Sequence, residues 1–123
     1  MVRIMRAEIR SVISTDIGST AVEDYRPEDP NDVYLLVRLS LGSDDGAPGE
    51  DIFDIVVCTP RALTQRLTSE RHIWGRYHLI VATWDWNYIR SVIERLIENA
   101  CATDWVSIME QLRGYGDWVD YRQ

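Results

Sequence analysis

The chain has 123 residues, a formal net charge of −7 and 46% hydrophobic residues. This length and composition are typical of a globular protein with one core, so we expect a single domain over residues 1–123. The negative charge opposes binding to nucleic acid, because neutralising phosphates requires basic side chains. No run approaches the roughly 20 apolar residues of a membrane span, and the first six residues lack the apolar stretch of a secretory signal. We therefore expect a cytoplasmic protein without membrane contact.

The acidity is concentrated in one region of the chain. Residues 16–54 carry eleven acidic residues against two arginines, a net charge of −9, whereas the remaining residues net +2. Such a region attracts a basic partner. The alternative is that these carboxylates only keep a surface loop soluble, which is the usual role of a charge run. The candidate partner-binding residues are Glu23, Asp24, Glu28, Asp29, Asp32, Asp44, Asp45, Glu50 and Asp51.

Three strands are predicted in the first half of the chain. Residues 4–13 alternate between apolar and polar side chains, the period of a half-buried strand. The side chains expected to face inward there are Met5, Ala7, Ile9 and Ile13. Residues 14–32 have the composition of a surface loop. Residues 33–41 form the clearest strand pattern, and the polar, Gly-rich run 42–49 predicts a hairpin to an antiparallel strand at 51–58.

A helix and a fourth strand are predicted next. Thr59 can cap a short helix from Pro60 to about Thr68, with the proline at the first helical position. Residues 77–84 are apolar at nearly every position. This pattern predicts a central strand covered on both faces.

Two more helices complete the predicted fold. Asp85 can cap a helix over about 86–100, whose apolar residues fall on one face. Thr103 or Asp104 can cap a last helix, and Gly114 ends it. An aromatic tail follows, with Tyr115, Trp118 and Tyr121. The order of elements predicts an α+β fold, a single four-stranded, mainly antiparallel sheet with helices packed on one face.

Catalytic and cofactor motifs are missing from the sequence. It contains no Gly-rich phosphate loop, and its two histidines and two cysteines lack the spacing of zinc ligands, so we predict no cofactor and no metal. Cys58 precedes a predicted helix N-terminus, where a thiol pKa can fall, and His78 could act as its base. The apolar setting of each residue favours a core role instead. We therefore predict no catalytic residue and expect Cys58 and Cys101 to be reduced and buried.

Aromatic side chains are the second kind of candidate anchor. Most read as core residues, but the segments 84–86 and 118–121 can leave rings exposed beside carboxylates. Exposed Trp and Tyr side chains are good interface anchors. Trp86, Trp118 and Tyr121 are therefore secondary candidates.

Five segments resemble the immunity protein 8 family of bacterial polymorphic toxin systems. The V-C-T-P turn at 57–60 and the G-R-Y-H-L-I-V segment at 75–81 are its most specific parts. The full set of resembling segments is 3–9, 25–30, 53–60, 75–81 and 115–121. The resemblance implies a protein that binds a secreted or contact-delivered toxin inside the producing cell and so prevents self-intoxication.

The resemblance and the charge together give the functional hypothesis. Toxins of such systems are often nucleases with basic clefts, which a complementary acidic surface can occlude. The predicted partner is thus a cognate protein toxin, with no nucleic acid and no membrane. Two alternatives stay open, namely a small enzyme that uses Cys58 and His78, and an adaptor module without a toxin.

Overall fold

The computed structural model describes residues 3–119, which form a mixed sheet and three α-helices. The strands are β1 (Met5–Ile13), β2 (Tyr34–Ser43), β3 (Asp51–Cys58), β4 (His78–Ile80), β5 (Cys101–Ala102) and β6 (Asp117–Trp118). The helices are α1 (Pro60–Glu70), α2 (Trp86–Asn99) and α3 (Trp105–Leu112). Within this part of the chain, no helix is long and apolar enough to span a membrane.

Among residues 3–119, the sheet has six strands where the sequence predicted four. Its order is β4-β3-β2-β1-β5, and β6 also pairs with β3, beyond the end of β4. All pairs are antiparallel except β3 with β4, which are parallel. The two strands that the sequence missed are β5 and β6. Each has only two residues, too few to show a hydrophobic period.

The core lies between α2 and one face of the sheet, called here the inner face. The predicted alternation of β2 is confirmed, and its inward side chains pair across the hairpin with those of β3. The buried inner-face residues of these two strands are Leu35, Val37, Leu39, Leu41, Phe53, Ile55 and Val57. Against them α2 buries Ile89, Ile93 and Ile97, which are spaced at four residues and so share one side of the helix.

The opposite face of the sheet, the outer face, carries α1. Tyr34 alternates with the inner-face residues of β2, and the Arg66 guanidinium of α1 lies 3.7 Å from the centre of its ring. The prediction that the helices pack on one face is therefore wrong. Because β3 and β4 are parallel, the chain between them must cross over a face of the sheet, and α1 makes that crossover.

A bulge in β1 reverses the direction of its side chains. Ile9 pairs with Leu41 and Ser11 with Ser40, so Arg10 is an extra residue on β1. Val12 therefore packs on the core, and Ile13, predicted to face inward, lies on the outer face with half of its surface exposed. One extra residue moves every later side chain to the other face, because strands alternate with a period of two.

Residues 77–84 do not form the predicted central strand. Only His78–Ile80 is extended and paired, at the edge of the sheet, and Ile80 is 57% exposed. Val81 and Trp84 are buried, but they reach the core from a loop that is tied to Pro30 by the Trp84 amide. The apolar run reflects this burial and not strand formation.

The predicted start of α1 at Pro60 is confirmed, and the predicted side-chain caps are confirmed for α2 and α3. Asp85 accepts a hydrogen bond from the Tyr88 amide in α2, and Asp104 accepts one from the Ser107 amide in α3. The Thr59 side chain makes no such cap at α1. Its hydroxyl oxygen instead accepts a hydrogen bond from the Val33 amide at 3.1 Å, which joins the start of β2 to the end of β3.

Candidate functional site

The structure divides the nine acidic candidates between the two ends of the β2–β3 hairpin. The first acidic group precedes β2 and consists of Glu23, Asp24, Glu28, Asp29 and Asp32. The second acidic group lies at the hairpin turn and consists of Asp44, Asp45, Glu50 and Asp51. The ten residues of β2 lie between them, a distance of about 30 Å at about 3.3 Å per residue. The acidic region of the sequence is therefore two separate surfaces.

Most carboxylates of the first acidic group are free to bind a partner. Glu23, Asp24 and Glu28 are exposed, and their carboxylates form no hydrogen bond or ion pair with residues 3–119. Asp29 differs, because it pairs with Arg61 at 2.8 Å and so joins this loop to α1. The unpaired carboxylates of this group are therefore available to pair with basic side chains of a partner.

A cleft of about 730 Å³ borders the first acidic group, with Glu23 in its lining. Its aromatic wall contains Tyr25, packed edge-to-face on Trp84 with ring centres 5.3 Å apart. Trp84 stacks in turn on Trp86, and these two tryptophans are at least nine-tenths buried. Trp86 is thus a core residue, and the expectation that its segment leaves rings exposed is wrong for the two tryptophans.

The second acidic group is held by the protein itself. Asp44 accepts a hydrogen bond from the Arg6 amide, and Ser40 donates one to Glu50. Asp45 accepts a bond from the Ala47 amide, which lowers the pKa of its carboxyl group. Arg10 organises the turn, since its guanidinium donates to the carbonyl oxygens of Ser43, Ala47 and Gly49 at 3.0 Å each. These carboxylates shape the hairpin turn.

Asp51 has a structural role, because its carboxylate binds two tryptophan side chains. Its two carboxylate oxygens accept hydrogen bonds from the indole N–H groups of Trp105, at 2.5 Å, and Trp118, at 3.3 Å. Trp118 also stacks on Phe53, with ring centres 6.1 Å apart, and is only half-exposed. Asp51 therefore ties α3 and β6 to the start of β3. Tyr121, the third aromatic candidate, lies outside the described residues.

Cys58 and His78 lack the arrangement of a nucleophile and its base. Cys58 is fully buried, and this burial raises the pKa of its thiol, which is the opposite of activation. His78 is engaged elsewhere, with Nε2 at 3.0 Å from the Tyr34 hydroxyl and Nδ1 at 2.6 Å from the Arg76 carbonyl oxygen. Cys101 is half-buried, so the expectation of a buried cysteine holds for Cys58 alone. Over residues 3–119, no cluster of histidine, cysteine and acidic residues could hold a metal ion.

A family model described as immunity protein 8 matches residues 7–121 of the chain. The chain belongs to the immunity protein 8 family. Comparison with curated proteins and with solved structures gives no significant match. Membership of an immunity protein family implies that the chain binds a cognate toxin, so its functional site is expected on a surface that suits a protein partner.

Within residues 3–119 of this immunity protein, the exposed aromatic residues differ from the candidates that the sequence suggested. Trp74 is 80% exposed in the loop between α1 and β4, Tyr88 projects from α2, and Tyr115 follows α3. One signal for Trp74 was present in the sequence. Its neighbourhood is polar and ends in Gly75, whereas a tryptophan of the core stands among apolar residues at a regular period.

Proposed function

We propose that this immunity protein neutralises a cognate bacterial toxin domain with a basic active cleft, such as a nuclease, by covering that cleft in the producing cell. Family membership supplies the class of partner. The observation that supports a basic cleft is the set of free carboxylates in the first acidic group. A folded domain does not require three unpaired, exposed acids in one loop, one of which, Glu23, lines an open cleft.

Within the acidic region, the first acidic group is the better candidate for primary contact. Its carboxylates can pair with a partner without breaking bonds inside the protein. Those of the second group would first have to release the hairpin turn or the indoles of Trp105 and Trp118. Breaking such bonds has a free-energy cost that subtracts from binding.

Occlusion needs no catalytic group on the immunity protein. An acidic surface accelerates encounter with a basic cleft, because complementary potentials steer the two molecules together. Once docked, the carboxylates lie where the phosphates of a substrate would bind, so substrate and inhibitor exclude each other. Family membership suggests this non-enzymatic role, and the buried thiol of Cys58 is consistent with it.

The test is a triple variant, Glu23→Gln with Asp24→Asn and Glu28→Gln, assayed against the toxin domain encoded beside the immunity gene. We expect the association rate at low salt to fall roughly tenfold and its salt dependence to flatten, since steering raises such rates by about 10–1000-fold. The melting temperature should stay unchanged, because these side chains are exposed and unpaired. Stopped-flow kinetics across a salt series measures the effect.

The matched control removes three charges away from the first acidic group, with Glu8→Gln, Glu98→Gln and Glu110→Gln. It changes the net charge by the same amount, so it separates local contact from total charge. Equal slowing by the two triple variants would contradict the proposed contact, and the first acidic group would then be only a solubilising surface.

A further inference from the structure

The outer face of the sheet is only partly covered. The helix α1 covers the end near Tyr34 and Cys58, whereas Leu36, Val56 and Ile52 further along are half-buried and Ile13 is 50% exposed. This surface runs along β2 and β3, so the loops that carry the two acidic groups lie at its two ends, with Glu23 turned towards the start of α2 and Asp51 towards Trp105 of α3. An apolar centre with a charged rim is the usual anatomy of a protein interface.

A single ion pair lies at the centre of this face. Arg38 and Asp54 stand directly opposite each other on β2 and β3, and the guanidinium donates two hydrogen bonds to the carboxylate, at 2.8 and 2.9 Å. The opposite charges of the two side chains cancel, and the two hydrogen bonds fix their relative orientation. The centre of the outer face is therefore rigid and carries no net charge for a partner to neutralise.

Trp74 stands beside this face. It lines a cleft of about 440 Å³ together with Tyr34 and with Arg66 and Glu70 of α1. An indole that is 80% exposed in the unbound protein leaves a large apolar surface in water. Trp, Tyr and Arg are the residue types that most often dominate binding energy, and here one of each lines the same cleft.

We infer that the toxin domain docks on the outer face, with Trp74 as the anchor and the two acidic groups as the rim. This inference rests on the proposed function and adds to it the surface that is used. The partner it requires is a protein with an apolar patch that receives Trp74, flanked by basic side chains about 30 Å apart. The exposed side of α2 and α3 that carries Tyr88 and Val106, called here the helical side, then faces away from the toxin, whereas the start of α2 borders the Glu23 cleft at the rim.

A second copy of the chain is a poorer occupant for this face. Two copies would each carry a net charge of −7. Because the two ends of the face are acidic, a copy rotated either way places carboxylates against carboxylates, and like charges across an interface are strongly unfavourable. A basic partner meets no such repulsion.

The experiment compares two pairs of surface variants by calorimetry with the toxin domain encoded beside the immunity gene. Trp74→Ala and Ile13→Glu change the outer face, whereas Tyr88→Ala and Val106→Glu change the helical side at residues that are each 60% exposed. We expect the outer-face variants to bind at least roughly tenfold more weakly and the helical-side variants to bind like the wild type. All four should melt like the wild type, because the altered side chains are exposed.

The outcomes separate the inference from the function on which it rests. If the wild type neither binds nor inhibits that toxin domain, the proposed function and this inference fail together. If the wild type binds and the outer-face variants bind equally well, the function stands and the surface is elsewhere. If the chain alone sediments as a dimer that Trp74→Ala disrupts, the outer face serves a second copy and the inference is overturned.

Discussion

Asp51 shows how one carboxylate can hold three elements together. It begins β3 and accepts hydrogen bonds from the indoles of Trp105, at the start of α3, and Trp118, in β6. In the sequence it is one more acid in an acidic region. In the structure its two oxygens are already occupied, so its first role is stability.

Replacing Asp51 should therefore destabilise the fold. We expect Asp51→Ala to lower the free energy of unfolding by about 1–3 kcal/mol, because two half-buried indole N–H groups lose their acceptor. Asp51→Asn should have a smaller effect, since its amide oxygen can still accept from one indole. Urea unfolding measures these changes, and Asp24→Ala, at an exposed and unpaired acid, is the control. Equal stability of Asp51→Ala and the control would rule out the structural role.

Cys58 gives a pH-dependent prediction. Burial raises the pKa of its thiol in the folded protein, so the folded state keeps its proton at a pH where the unfolded chain loses it. Below the ordinary thiol pKa of about 8.5, the protonated thiol makes its full contribution to the free energy of unfolding. This contribution is lost as the pH rises from about 8.5 past the raised pKa of Cys58 in the folded protein.

We expect the free energy of unfolding to fall more steeply between pH 8 and pH 10 in the wild type than in Cys58→Ala. Denaturant unfolding at several pH values gives the two slopes. Cys101→Ala is the matched control, a cysteine replaced at a half-buried position. Identical slopes for the wild type and Cys58→Ala would show that the thiol does not titrate with folding.

Among the helices, α2 contributes most to the core. Its predicted face is confirmed, since Ile89, Ile93 and Ile97 are buried against the inner face of the sheet. The shortest elements had no signal in the sequence. The strands β5 and β6 exist because the ends of α2 and α3 deliver two residues each to a free sheet edge.

Ile93→Ala tests the buried face of α2. We expect it to lower the free energy of unfolding by about 2–4 kcal/mol, through lost apolar burial and the cavity that remains. Arg95→Ala on the exposed side of the same helix should change stability by no more than about 0.5 kcal/mol. Thermal or urea unfolding compares the two variants. A small loss for Ile93→Ala would mean that this face of α2 is not packed as the structure shows.

At the scale of the whole molecule, the distribution of charge follows from the hairpin. The chain region 16–54 enters β2 at one end of the sheet and turns back at the other, so a single acidic stretch becomes two acidic surfaces. On α1, Arg61 pairs with Asp29 alone in the first acidic group and Arg66 pairs with Glu70, so the other carboxylates of that group keep their charge for a partner. A toxin surface complementary to the order of charges along the chain would therefore not match the spacing of those charges in the folded protein.

The sequence by itself determined the elements with a clear period and the class of partner. The alternation in β2, the helical face of α2, the caps at Asp85 and Asp104 and the family segments are all local patterns, and local physics decides them. The concentration of acids between residues 16 and 54 is likewise a property of the sequence alone.

Only the tertiary structure decided which residues share a surface. The bulge at Arg10 turns Ile13 outward, the crossover places α1 on the outer face, and the length of β2 separates the two acidic groups. The exposure of Trp74 and the occupied oxygens of Asp51 depend on contacts with residues far away along the chain. Such contacts have no period in the sequence, because strand pairing and helix docking join segments whose separation along the chain is arbitrary.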